Sequence, residues 1–270
     1  PLNNGSYFFL KSDLEIQTGR SYFLDLQTRN GHTYQSEVET ILAAPEIQKL
    51  EFDFSIEQIV DRETRVLERS FFNLFVHTFL PSDANNTFLK WDVEHVFTVA
   101  EILCSPLATP KVCYLTRSIG MNEVFLLDGS LFSGGSEITE QVAHVEMDYA
   151  FGLVASFYVS QKSLTAFAHD YWKKINKVIS GGGSIFEAPP AAVPGNINPI
   201  SHPNEEVLGL FSAVDEKREL ILITRGDLAT GFDHLPLCGQ LGFPPPNLPR
   251  ACCNCLSLEN SSLSRPSYWP

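Results

Sequence analysis

No stretch of about 18 consecutive apolar residues occurs in this 270-residue chain, so nothing in it reads as a membrane-spanning helix. Basic charge is scarce as well. Lys+Arg number 19 against 32 Asp+Glu, a net charge of −13. Surfaces that grip phosphate backbones are built from Lys and Arg, and no Lys/Arg-rich run is present, which argues against a nucleic-acid partner. Solubility is account enough for the acidity. The motifs that announce a reaction are missing too: there is no HExxH, GxSxG, P-loop or GxGxxG. No cofactor is implied, and a non-enzymatic role is favoured over an enzymatic one. Neither an internal repeat nor a signal peptide is visible. The first residue is Pro1, and a processed or trimmed chain would also lack a leader.

What is present points to strands. Apolar residues make up 44% and aromatics 11%, with 20 Phe, a composition that suits β-sheet. The length allows one large β domain, or one domain and part of another, with a sizeable core. Segment 1–44 reads as the end of a small β-sandwich, entered partway through. It has a strand at 7–10, an alternating strand over 21–29, Asn30-Gly31 as a two-residue turn, and a return over 32–41. Ala43-Ala44-Pro45 marks the boundary to a larger mainly-β domain, 45–270. Strands are expected over 50–60 and 65–80. The run 70–79 is apolar on both faces and belongs in the middle of a sheet. Residues 88–100 alternate, with Leu89, Trp91, Val93, His95, Phe97 and Val99 on one face.

Further on, 123–127 reads as a short strand, and 138–148 with 151–160 as a hairpin. The period then changes. Ser163 is placed to cap a helix over 163–179, with Leu164, Phe167, Ala168, Tyr171, Trp172, Ile175, Val178 and Ile179 as its apolar stripe. Gly181-Gly182-Gly183 ends it, and 181–203 reads as an ordered crossing loop. A second hairpin, 207–214 and 220–224, turns through Asp215-Glu216-Lys217-Arg218-Glu219 and closes the core. Past Gly226 periodicity is lost, and Pro244-Pro245-Pro246 gives a short extended segment. The expected fold is mainly antiparallel β, barrel-like or sandwich-like, with one packed amphipathic helix.

Six cysteines form two clusters: Cys104 and Cys113, then Cys238, Cys252, Cys253 and Cys255. Structural disulfides and an oxidising compartment are favoured over a metal or redox site, because the single C-x-x-C has no second pair, no nearby His pair and no βαβ context. One arrangement pairs Cys104 with Cys113 and leaves two bridges in the tail; 15 connectivities are open. His144, Glu146 and Asp148 share one strand face and form a candidate metal row, though the wet face of a sheet is the simpler reading. Trp91 beside Asp92 and Glu94 could be a sugar platform, but alternation turns the indole away from both acids and into the core.

Several short motifs recur in a recognisable order. They are Gly19…Tyr22, Asn30-Gly31…Tyr34-x-Ser36, Trp91-x-x-Glu94, Cys113-Tyr114, Ser163-Leu164-Thr165…Tyr171-Trp172 and Gly183-Ser184-Ile185-Phe186. Gly195-Asn196-Ile197, Glu206-Val207-Leu208-Gly209-x-Phe211, Cys252-x-x-Cys255 and Arg265-Pro266-x-x-Trp269 follow. In this order the chain resembles a family of uncharacterised Bacteroidota cell-envelope lipoproteins over nearly its whole length. The resemblance implies an N-terminal lipid anchor, absent from this chain, and a small β-sandwich ahead of the larger domain. It further implies an outer-membrane location and a TonB-dependent receptor as partner in ligand uptake. No catalytic residues come with it. A cell-surface glycan- or substrate-binding module is the alternative, and a metal-dependent hydrolase using the His144 row a third.

Overall fold

The computed structural model describes residues 15–61, 63–105, 107, 109–120, 123–180, 192–228, 236–238 and 248–269. The strand expected over 7–10, the triglycine at 181–183, the 183–186 motif and the proline run at 244–246 lie outside them. Four short strands come first: β1 (Ser21–Tyr22), β2 (Asp25–Gln27), β3 (Thr33–Ser36) and β4 (Glu39–Thr40). Then follow β5 (Ile47–Val60), β6 (Val66–Phe79), β7 (Phe88–Ala100), β8 (Val112–Ile119), β9 (Phe125–Asp128), β10 (Glu137–Glu146) and β11 (Ala155–Leu164). Helix α1 (Ala166–Ser180) precedes β12 (Ile197–Pro199), β13 (Glu216–Ile223) and β14 (Ser261–Ser262).

Two large antiparallel sheets carry the fold. One has the order β10-β6-β5; the other runs β13-β11-β7-β8-β14, with β9 also on β7. They pack as an open sandwich, not a closed barrel. Phe72 of β6 stacks on Phe157 of β11 with ring centroids 4.4 Å apart, so the two sheets meet at the middle of the core. As its two-sided apolar run demands, β6 is the central strand of its sheet. The alternation of β7 holds too: Leu89, Trp91, Val93, His95, Phe97 and Val99 are all buried. Ahead of the sandwich, β2 and β3 form the expected hairpin, with Leu26 opposite Tyr34. Its turn is longer than two residues. Thr28 N–H donates to the His32 carbonyl, and Gly31 takes φ +88°, a conformation that favours glycine.

Both later hairpins are corrected. β10 and β11 exist, but they sit in different sheets, β10 on β6 and β11 between β7 and β13. Met147, Ala150 and Phe151 in their connection are buried, so the chain crosses the end of the core instead of folding back on itself. Residues 207–214 form no strand; a single bridge joins Leu208 to Pro194. The buried Asn196 side chain occupies both backbone groups of Phe211. Its Oδ1 accepts from the Phe211 N–H and its Nδ2 donates to the Phe211 carbonyl, each at 2.8 Å. The charged run is not a turn: from Glu216 on it forms the first half of β13. At a sheet edge its charges reach water and partners: Lys217 pairs with Glu46 at 2.8 Å, and Arg218 with Glu216.

Helix α1 begins later than expected, because Ser163 is still in β11. The Ser163 hydroxyl donates to the Leu42 carbonyl at 2.5 Å and accepts from the Asp215 N–H at 3.1 Å. The cap is Thr165, whose Oγ1 accepts from the Ala168 N–H at 3.2 Å. The apolar stripe is only partly covered: Ala168 is buried, while Phe167 and Ile179 are exposed. Within 181–203, expected as loop, Ile197–Pro199 form β12, which joins the small sheet in the order β12-β3-β2.

Disulfides link Cys104 to Cys253, Cys113 to Cys255 and Cys238 to Cys252. The Cys104–Cys113 pairing is therefore wrong. Cys113 lies inside the β7–β8 ladder opposite Val99, with its side chain buried against the tail. Two of the bridges fasten the aperiodic C-terminal stretch to the sandwich through Cys253 and Cys255, and the third joins two points of that stretch.

Candidate functional site

β10 contains a bulge, and the bulge sets up the site. Its register against β6 shifts between Gln141 and Ala143, so Val142 is the extra residue. Before the bulge, Ile138 and Glu140 stand on the inner face, Glu140 directly opposite the fully buried Val76. After it the phase reverses: Ala143 lies opposite the buried Leu74 and Val145 opposite Phe72, while His144 and Glu146 face outward. Glu140 is thus a carboxylate on the core side of a sheet. It makes no hydrogen bond or ion pair with any other described residue. Burial raises its pKa, and no other influence is resolved.

Glu140 faces a cleft at the end of the sandwich, between β9, β10 and α1, with a volume of about 380 Å³. That volume suits a small molecule. Helix α1 contributes His169, Lys173 and Asn176, at spacings of four and three residues along one helical face. The His169 ring is buried and packs 4.9 Å from Phe88. Burial pushes its pKa down against the pull of Asp128, so the imidazole is neutral. Asp128 ends β9 and is fixed by Ser130, whose N–H and hydroxyl hold its carboxyl below the usual range. Asn176 accepts from the Val124 N–H at 2.9 Å and ties the helix to the cleft wall. Among the described residues, the side chains of Glu140, His169 and Lys173 have no hydrogen-bond partner. An acid, a neutral imidazole and an ammonium therefore converge on one opening with bonding capacity to spare.

A second groove, of about 480 Å³, crosses the outer face of the six-stranded sheet. Its charged groups and Tyr268 are already engaged with one another or with Lys90. Asp92 receives Lys162 at 2.7 Å and also Lys90; burial would raise its carboxyl, but the two cations together hold it low. Lys90 sits over the Trp172 ring at 4.7 Å. Tyr268 stacks on Tyr158 at 4.3 Å and donates to Glu94 at 2.7 Å. Burial, with Glu94 beside it, raises the Tyr268 hydroxyl. A ligand here would have to break existing pairs, so the groove reads as a clasp that lays the tail on the sheet.

The residues singled out from sequence fall elsewhere. His144 stacks on Phe71 at 4.4 Å and contacts Asn73 at 2.7 Å; Glu146 pairs with Arg69 at 3.2 Å. Asp148 lies beyond the strand and pairs with Arg117 at 2.9 Å. The three do not converge. Trp91 is 2% exposed and donates to Gln161 at 2.9 Å, which makes it core. Glu140 was missed, although an acid between Ile138 and Val142 in an apolar alternation is a legible signal. His169 and Lys173 were hidden beside the apolar stripe of the helix.

A family model described as Domain of unknown function (DUF4249) matches residues 3–219, most of the chain. No curated protein and no solved structure matches it. Among the described residues, no helix is long and apolar enough to cross a membrane.

Proposed function

Given that this chain belongs to the family described as Domain of unknown function (DUF4249), we propose that it is a non-enzymatic ligand-binding protein of the cell envelope. It captures a small polar molecule in the cleft under α1 and serves a TonB-dependent outer-membrane receptor in uptake. The observation that carries the binding role is the unpartnered trio of Glu140, His169 and Lys173 around an open cleft of about 380 Å³. Groups of that kind favour a ligand bearing both donors and acceptors, because each unpaired polar group regains a hydrogen bond on binding. Three disulfides support an extracytoplasmic setting. The receptor, the lipid anchor and the Bacteroidota envelope rest on the motif resemblance.

Two experiments test the proposal. Binding of small glycans, peptides and amino acids to the purified chain is measured by calorimetry, with Glu140→Gln and Lys173→Met as comparisons. A hit weakened at least tenfold by both variants supports the cleft; a hit indifferent to both removes it. Separately, the tagged protein is recovered from native membranes. Co-purification of an outer-membrane receptor supports the accessory role, and its repeated absence beside a cleft-dependent ligand leaves a free-standing glycan- or substrate-binding module. The separation of His144, Glu146 and Asp148 weighs against a hydrolase built on that row.

A further inference from the structure

The turn of the β2–β3 hairpin and the loop after β12 come together at one point of the surface. There, His32 and His202 stack with ring centroids 3.9 Å apart and an interplanar angle of 26°. Glu205 lies against them, with an oxygen 3.5 Å from His32 Nδ1. One ligand atom from each of these three side chains falls within 4.8 Å of the other two. A tetrahedral ion with bonds of about 2.0–2.1 Å needs donors roughly 3.4 Å apart, so modest side-chain adjustment closes the set.

The loops that bring these groups together are pinned to each other. Thr33, next to His32, donates its N–H to Ser201 Oγ at 3.0 Å, and its carbonyl accepts from the N–H groups of Ile200 and Ser201. The Glu205 N–H bonds the His202 carbonyl at 2.9 Å, closing the turn that carries both ligands. Outer contacts orient the donors, as they do around metal-binding residues. The Tyr34 hydroxyl lies 3.0 Å from both Glu205 oxygens, and His202 Nδ1 lies 2.9 Å from Ser201 Oγ. When Nδ1 carries the proton and donates it to Ser201 Oγ, the Nε2 lone pair of His202 is left for a metal. Glu205 has no Lys or Arg ion-pair partner among the described residues, so its charge is not already neutralised.

We propose that His32, His202 and Glu205 form a binding site for a divalent first-row transition ion, of the zinc class. Two imidazoles and one carboxylate are a borderline donor set of the kind such ions take, and three protein ligands leave a coordination position for water or an exogenous ligand. The site lies outside the cleft under α1 and stands whether or not that cleft binds anything. It joins the N-terminal hairpin to a loop 170 residues further on, since His32 and His202 differ by 170 in number.

The test is a calorimetric titration of zinc chloride into the oxidised 270-residue chain, after dialysis against a chelator. The variants are His202→Ala, Glu205→Gln and, as a control away from the site, His144→Ala. Circular dichroism and metal-free melting first establish that each is folded. The expected result is one zinc ion per chain at micromolar affinity or tighter, at least tenfold weaker in either site variant and unchanged in the control. Glu205→Gln keeps shape and size, so it carries the test if His202→Ala fails to fold. Absence of saturable zinc binding, or binding equally tight in the folded site variants, overturns the proposal.

Discussion

Glu140 stands where its strand's alternation calls for an apolar side chain. Burial holds its carboxyl above the ordinary glutamate range, so the native state keeps that proton more tightly than the unfolded chain does. By linkage, its charge costs stability as pH rises from the ordinary range through the folded-state value, and costs nothing below both. Glu140→Gln is therefore expected to raise the urea midpoint at pH 7 and to leave it unchanged near pH 3, in a protein measured without ligand. His95 behaves in the opposite sense. It is fully buried beside Phe157, with rings 4.4 Å apart, and both of its ring nitrogens lack hydrogen-bond partners among the described residues. Burial, with some help from the Arg117 charge, pushes its pKa down to about 3. Below pH 6.5 the unfolded chain takes up a proton that the native state refuses, so stability falls with pH down to that folded value, at up to about 1.4 kcal/mol per pH unit. His95→Phe is expected to be neutral or stabilising by about 1 kcal/mol at pH 7. It should also flatten the acid limb of the stability profile, a comparison made by denaturation at pH 4 and 7. The burial of His95 was legible in sequence, because period two placed it with Trp91 and Phe97. Its missing partners were not, because hydrogen bonding depends on which strands lie alongside.

At the scale of elements, the informative places are where one regular pattern gives way to another. The passage from β11 to α1 divides its work between two hydroxyls. Thr165 caps the helix, and Ser163 ties the strand end to Leu42 and Asp215. Thr165→Ala is expected to cost about 1 kcal/mol. Ser163→Ala should cost about as much or more, because the residue is 3% exposed and losing its hydroxyl leaves the Asp215 N–H without that acceptor. Chemical denaturation of the two variants checks this ordering. Sequence alone favoured Ser163 as the cap, since both residues are good caps and only the extent of β11 decides between them. The strands β5, β6 and β7 were readable because their apolar runs are long. β10 was readable as a strand, but its partner was not: the Val142 bulge hides the phase change, and a short connection between two strands looks like a turn from sequence alone. β13 was misread because a charged run serves an edge strand as well as it serves a loop.

At the scale of the molecule, the sandwich and the aperiodic tail are stapled together. The Cys104–Cys253 and Cys113–Cys255 bridges span sequence separations of 149 and 142, and Cys238–Cys252 spans 14. Long closed loops contribute most in the chain-entropy account, roughly 4–5 kcal/mol each against about 3 for the short one. Replacing both cysteines of Cys113–Cys255 with Ala is expected to lower stability more than replacing Cys238 and Cys252, read as unfolding free energies from matched denaturation curves. A non-reducing peptide map should recover the three pairings. That the cysteines are bridged was foreseeable from a clustered, Pro-rich tail. Their partners were not, since fifteen pairings fit one sequence and only the folded arrangement of all six cysteines selects among them.

The short strand β12 has a consequence for how the chain is made. The ladder begun by β2 and β3 waits for Ile197–Pro199, which pairs with Tyr34 to Ser36. A ribosome adding about 5–20 residues per second emits the missing piece roughly ten to thirty seconds after the rim it must cover. For that interval the β3 edge of the nascent hairpin lacks its strand, open to any extended segment that reaches it first.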